Sequence, residues 1–218
     1  MVDQSSSKRA GKQPAETAEQ TKRAMIEAAL RVFAQHGFDG VSLRDIAAEA
    51  GTTHGLIRHH FGTKEGIWHA AVDHAIERYA SAIAPYAERA HDQQADPILL
   101  AKEIVGRFVL VSAAYPEIVR LILHEGMRGG ARLDYALGCF APLGQQMAPL
   151  LAQVQQRGFL QHFDNRTFFI FLLTTGAAPF ALSALVRWVI EDDIGGERQA
   201  QEHADRVVAT LFGHRGLP

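Results

Sequence analysis

Cysteine is nearly missing from this chain of 218 residues, where Cys139 stands alone. A single thiol excludes an internal disulfide and any zinc site assembled from several thiolates. Excess charge is missing too: 22 lysines and arginines face 24 aspartates and glutamates, a balance of −2. The whole chain therefore names no polyanionic partner, and any nucleic-acid contact must come from a local cluster. Strand signals are lacking, with no alternating β-branched runs and no Asn-Gly or Asp-Gly turn set between such runs. No His-Glu-x-x-His, serine–histidine–acid set or phosphate loop occurs, so no catalytic residues, metal or cofactor are expected. The first twenty residues lack the apolar core of a secretion signal, which points to the cytoplasm.

Long apolar runs are also scarce, with one exception. Thr167 to Val186 carries no charge over twenty residues, the length of a membrane span. Thr174, Thr175, Gly176, Pro179 and Ser183 dilute it, so a helix buried on both sides is expected and no membrane. Eleven histidines raise the question of metal. His59 and His60 are adjacent and diverge on a helix, whereas His69, Asp73 and Glu77, at successive fours, share a face. Ordinary surface pairing is the simpler reading of those three. Cys139, near Leu137 and Phe140, reads as a packed thiol, with redox sensing as the alternative.

What the chain does have is helix periodicity. Residues 1–19 read as a flexible polar tail whose Lys8, Arg9 and Lys12 could brush a phosphate backbone. Ile26, Ala29, Leu30 and Phe33 then form an amphipathic stripe, and Gly37 suits the left-handed position after its end. Ser42-Leu43-Arg44-Asp45 is a capping box opening a short second helix that Gly51 stops. Thr53 caps a third, ending near Phe61-Gly62, and Thr63 a fourth that runs to about Ala82, with Pro85 as its end or a kink. Longer helices follow at about 97–114, 117–127, 131–157, 165–191 and 196–212, about nine in all. The fold class is all-α: a small head at 20–66 and a larger helical body at 67–218.

Three short helices, the second and third joined by a tight glycine turn, spell a helix-turn-helix. Ala47 is small enough for the third helix to cross closely, Gly51 makes the turn, and Ile57 reaches back to Leu43, Ile46 and Phe61. Such a unit offers its third helix to the major groove of duplex DNA.

With Ala28-Ala29, Phe33, Gly37-Phe38, Leu43-Arg44-Asp45-Ile46-Ala47, Ala50-Gly51, Gly55, His60-Phe61 and Lys64-Glu65 in order, residues 20–68 resemble the amino-terminal domain of tetracycline-repressor (TetR) family regulators. The resemblance implies a DNA-binding head on an effector-binding and dimerisation body. It implies phosphate contacts from Ser42, Thr53 and Lys64, and base-edge contacts from His54, Gly55, Leu56 and Arg58. Arg44 could read a base or a phosphate, and His60 belongs to the same DNA-facing set. The family commonly has tyrosines where this chain has Arg58 and His59. Arg58 can bond a guanine edge twice, and His59 a phosphate. Residues 1–66 hold nine basic and eight acidic side chains, so the footprint must be concentrated on one face.

In the body, the apolar 165–191 stretch and the stripe of the last helix suit a two-fold seam, as the family's final two helices imply. Leu182, Leu185, Val189, Val207 and Leu211 are its expected contacts. Phe108, His124, Phe140, Met147 and Phe171 are candidate walls for a small, largely apolar effector. The expected function is a homodimeric regulator, a repressor by preference, which binds a palindromic operator and is released by that effector. A DNA-bound adaptor that recruits another protein without an effector is the alternative.

Overall fold

The computed structural model describes residues 12–89 and 95–213, and among these all regular structure is helical. Two units divide at His74/Ala75. The head holds α1 (Lys12–His36), α2 (Leu43–Glu49), α3 (His54–Phe61) and the start of α4 (Lys64–Arg89). The expected tail is corrected from Lys12 onward, where α1 begins; residues 1–11, with Lys8 and Arg9, lie outside the described residues. Residues 12–19 carry helix-forming side chains but no apolar stripe, so periodicity was silent there. Pro14 sits in the first turn, where its missing amide costs nothing.

Local signals build the head as the sequence anticipates. Ser42 N donates to Asp45 Oδ2 at 2.7 Å and Asp45 N to Ser42 Oγ at 3.3 Å, closing the capping box of α2. Gly51 holds φ at 63°, the left-handed turn a β-carbon would strain. Leu56 N donates to Thr53 Oγ1 at 3.2 Å and opens α3. Ile46, Ala47 and Ile57 are buried at the crossing. Phe38 stacks on Phe33 at 5.7 Å and meets the edge of Trp68 at 6.4 Å. That contact explains why the division lies beyond residue 66: Trp68, in the second turn of α4, belongs to the head's core.

The body holds the rest of α4 with α5 (Pro97–Ala114), α6 (Pro116–Gly126), α7 (Ala131–Gln156), α8 (Asn165–Phe171), α9 (Ala178–Ala181), α10 (Ser183–Ile190) and α11 (Glu197–Phe212). Its core is built on Val105, Val109, Leu150, Val154, Phe180, Val207 and Phe212. α4 does not end near Ala82 but continues through Pro85 to Arg89.

The largest departure is at 165–191, expected as one helix. α8 gives way to a π turn at Leu172–Ala177, then α9, and the axis bends by 81° before α10. Wider π turns and a proline at 179 both misalign the backbone ladder. Side chains from elsewhere satisfy carbonyls in this stretch. Arg120 Nε donates to Ala181 O at 3.1 Å, and His203 Nε2 reaches Thr175 O at 3.1 Å and Gly176 O at 3.3 Å. At Gly176 a β-carbon would lie 3.2 Å from Val109, so the close approach to α5 uses the missing side chain. Among the described residues no single helix is long and apolar enough to cross a membrane; the bent pair Asn165–Ala181 and Ser183–Ile190 passes by length and composition only.

Candidate nucleic-acid interface and internal cavity

On α3 the buried side belongs to Ile57, with Leu56 half-buried, while His54, Gly55, Arg58, His59 and His60 are exposed. Capping leaves a row of polar groups at one end of the helix: Thr53 is exposed, as is Ser42 at the start of α2. Arg44 and Arg58 are exposed too, and each extends a planar guanidinium suited to a base edge or a phosphate. His59 and His60 lie ring edge to face at 5.4 Å. Asp45 is held below the ordinary carboxylate range by its hydrogen bonds from Ser42, so the cap stays ionised at neutral pH.

Lys64 behaves differently. Its ammonium sits 4.2 Å from the centre of the Phe38 ring, and the residue is half-buried. A cation over an aromatic face fixes the stem and leaves the charge at the surface. This contact was not legible from the Phe-Gly-Thr-Lys spacing, since Phe38 comes from the turn after α1.

The body holds an apolar cavity of about 150 Å³ between α4, α5, α7 and α8. Of the five expected wall residues, Phe108, Phe140 and Met147 line it. His124 and Phe171 do not, which corrects the expectation. Phe171 turns into a cluster with Phe163, ring centres 5.3 Å apart, and His124 lies on α6, an element that contributes nothing to the wall. Sequence reading missed Ile83, Leu143, Leu151, Phe168 and Phe169 among the other residues of the wall. Phe168 and Phe169 stood in the apolar run, but a continuous run does not reveal which side faces a void. Tyr79 packs edge-on behind the wall, against Phe108 at 5.9 Å and Phe140 at 6.1 Å.

The expected seam residues fall into two groups. Leu182, just before α10, and Leu185 and Val189 on it are 46%, 57% and 62% exposed, beside Trp188 at 82%. On α11, Val207 and Leu211 are 2% and 8% exposed. Both belong to the body's own core, packed with α5 residues such as Leu100 and Val105, so neither is on a surface. Among the described residues no three histidine, cysteine or carboxylate side chains form a group that could hold a metal, the His69–Asp73–Glu77 face included. Cys139 is half-buried rather than sealed in the core.

The head's sequence matches the model of bacterial regulatory proteins of the tetR family over residues 25–71. Rv3405c, a transcriptional repressor of Mycobacterium tuberculosis, is 31% identical over 145 residues, 61% of this chain and 76% of its own. The chain belongs to the tetR family. This tetR-family regulator is also 28% identical to the transcriptional regulator RutR of Escherichia coli K12 over 192 residues, 86% of this chain and 88% of RutR. Among solved structures, AibR in complex with isovaleryl coenzyme A and operator DNA superposes with a TM-score of 0.68 at 18% identity, over 88% of this chain and 98% of AibR. That likeness concerns the fold. The chain is accordingly a transcriptional regulator with a DNA-binding helix-turn-helix head.

Proposed function

We propose that this regulator is a homodimeric repressor that binds a palindromic operator and leaves it when a small, largely apolar molecule fills the body cavity. What carries the reading is Ile83: it lines the cavity and sits on α4, the helix that begins at Lys64 in the head. A ligand that seats against Ile83 favours one position of α4, and α4 carries the head with it. Thr53 and Ser42 would hold phosphates through hydroxyls and helix-start amides, and Arg58 would read guanine. His54, Gly55, Leu56, His59 and His60 complete the face, with Arg44 and Lys64 at its edges. The repressor sense rests on the relative Rv3405c. An effector that is small and largely apolar fits the cavity's apolar lining.

Pairing of two chains would use α10. Its row of exposed leucine, valine and tryptophan is the kind of patch that marks an interface. A dimer places two recognition helices about 34 Å apart, in successive major grooves. Shifting the operator from nearly full to nearly empty takes a differential affinity of about 5.5 kcal/mol.

The test is to recover genomic fragments bound by the purified protein, footprint them, and titrate the complexes with small apolar compounds. Symmetric protection released by a compound is the expected result. Gly144→Phe should abolish release while DNA is still bound, because a side chain at 144 projects into open space beside the cavity. Symmetric protection that no compound relieves would favour the adaptor instead.

A further inference from the structure

The apolar cavity has a neighbour. Ala148 and Asn165 line it, and the same two residues line a second hollow on the surface. That outer hollow is largely polar, with Gln155, Gln161, His162 and Asp164 on its rim beside Ala152 and Phe163. One chamber is lined by apolar side chains; the adjoining one offers hydrogen-bonding groups.

The rim is held in place. Gln155 Nε2 donates to Phe163 O at 2.6 Å and to Leu160 O at 3.3 Å, pinning the loop between α7 and α8. Leu160, whose side chain lines the inner cavity, is fixed at φ 53°, a left-handed conformation that leucine adopts only under constraint. Asp164 caps α8: its Oδ1 accepts from Arg166 N at 2.9 Å, Thr167 N at 2.8 Å and Thr167 Oγ1 at 3.0 Å. Those bonds from Thr167, more than the neighbouring Arg166, keep the carboxyl below its ordinary range and ionised. Oδ2 has no part in the cap and stays available. No lysine or arginine belongs to the wall of either hollow, Arg157 and Arg166 included.

We infer that the effector is an amphiphile: a tail the size of a phenyl or hexyl group in the inner cavity, and a non-anionic head that donates hydrogen bonds at the Asp164–Asn165–His162 rim. Tail size follows from volume, since an apolar cavity of about 150 Å³ stays dry and accepts a molecule as large as benzene. Head chemistry follows from charge. A carboxylate or phosphate at this rim would face the Asp164 carboxylate directly, with only the neighbouring Arg166, outside both walls, to offset it. An amide, alcohol or ammonium would instead donate to Asp164 Oδ2 and to the side-chain oxygens of Asn165 and Gln161. This rests on the cavity reading proposed above and goes further by fixing the ligand's polarity at one end.

A matched series separates the parts: 2-phenylacetamide, 2-phenylethanol, phenylacetate and ethylbenzene, titrated by calorimetry into the full-length protein. The amide and alcohol are expected to bind at least about tenfold more tightly than phenylacetate and ethylbenzene. Asp164→Asn, which keeps a capping side chain, should narrow the amide–acid gap by raising affinity for phenylacetate. Phenylacetate binding as well as the amide would overturn the head assignment while leaving the cavity as the ligand site. Ethylbenzene binding as well as the amide would show that the outer hollow contributes nothing, and sinks it too. Should no member bind at millimolar concentration, and Gly144→Phe leave operator release by other compounds intact, the cavity reading itself fails with it.

Discussion

In the head, the inward apolar side chains of α2 and α3 are consumed by one small core. Ile46, Ala47 and Ile57 are buried, and what α3 leaves outside is polar. The body does the reverse at both extremes. It keeps an apolar void inside, and on α10 it leaves a row of large apolar residues outside. A sealed core with a polar face suits an element that meets phosphates. A void and an uncovered apolar helix suit an element whose partners arrive later, a ligand in one case and a second chain in the other.

The sharpest way to break this contrast is at α10. Leu185→Arg with Trp188→Glu should give monomers by sedimentation and weaken operator binding by about a hundredfold or more, since linking two heads multiplies affinity by about 10²–10⁴. Leu211→Arg, by contrast, should unfold the body, because Leu211 is buried in its core. A DNA-competent dimer in the double variant would move the seam elsewhere.

That distinction also marks where sequence was readable. Ser42, Asp45, Gly51 and Thr53 act on backbone atoms two or three residues away, so the head's helices and turn were legible from spacing alone. The stripe of α11 was legible too, but not its partner: Val207 and Leu211 could face a second chain or α5, and nothing within α11 decides. The run from Thr167 to Val186 suggested a helix buried on both sides, but burial is confined to its middle, at Leu173, Gly176, Ala177, Ala178 and Phe180, while α8 and α10 have no buried residue. Nor did the run announce its bend, although Gly176 and Pro179 were both in view. Three of the five candidate wall residues line the cavity, two of them the aromatic Phe108 and Phe140 and the third Met147. His124 and Phe171 failed because their orientation depends on α6 and on Phe163.

Within the head, Arg58 and Lys64 should separate by what they lose. Arg58→Ala is expected to cost about 1–3 kcal/mol on the operator and to blur one base position, with little loss on random DNA. Lys64→Ala should weaken every sequence alike and reduce the salt dependence by about one ion. It should also lower the head's melting temperature, as the ammonium over Phe38 is lost. Equal losses on operator and random DNA for Arg58→Ala would remove its reading role.

In the body, His203 provides a smaller and pH-dependent effect. Both its partners are carbonyl oxygens, Thr175 O and Gly176 O, so Nε2 carries a proton and the neutral ring already donates. Burial lowers its pKa, with the two backbone bonds opposing. A histidine depressed in the folded state contributes stability that is complete above its unfolded value, about 6.5, and is lost as pH falls through the folded value. The melting temperature should therefore drop between pH 7.5 and 5.5, and His203→Gln should flatten that drop. Asp45, Asp164 and Asp192, also depressed, act only at more acidic pH, so they do not confuse the window.

The smallest expected change tests whether the body's interior is as imperfectly filled as the cavity implies. Tyr79 is 1% exposed, and its hydroxyl has no hydrogen-bond partner among the described residues, nor has Glu117 Oε2. Burial pushes the phenol well above its ordinary range despite the nearby Ser112 hydroxyl, and the Glu117 carboxylate adds to the shift. Ser112 Oγ donates instead to Phe108 O at 2.8 Å. A buried donor left unmade costs about 1–3 kcal/mol, so deleting it should cost nothing. Tyr79→Phe keeps the ring contacts to Phe108 and Phe140 and is expected to leave urea stability unchanged or slightly raised. A loss above about 1 kcal/mol would mean that the hydroxyl is paired in solution, through water held between Tyr79 and Glu117, and that this part of the body is packed as completely as the head.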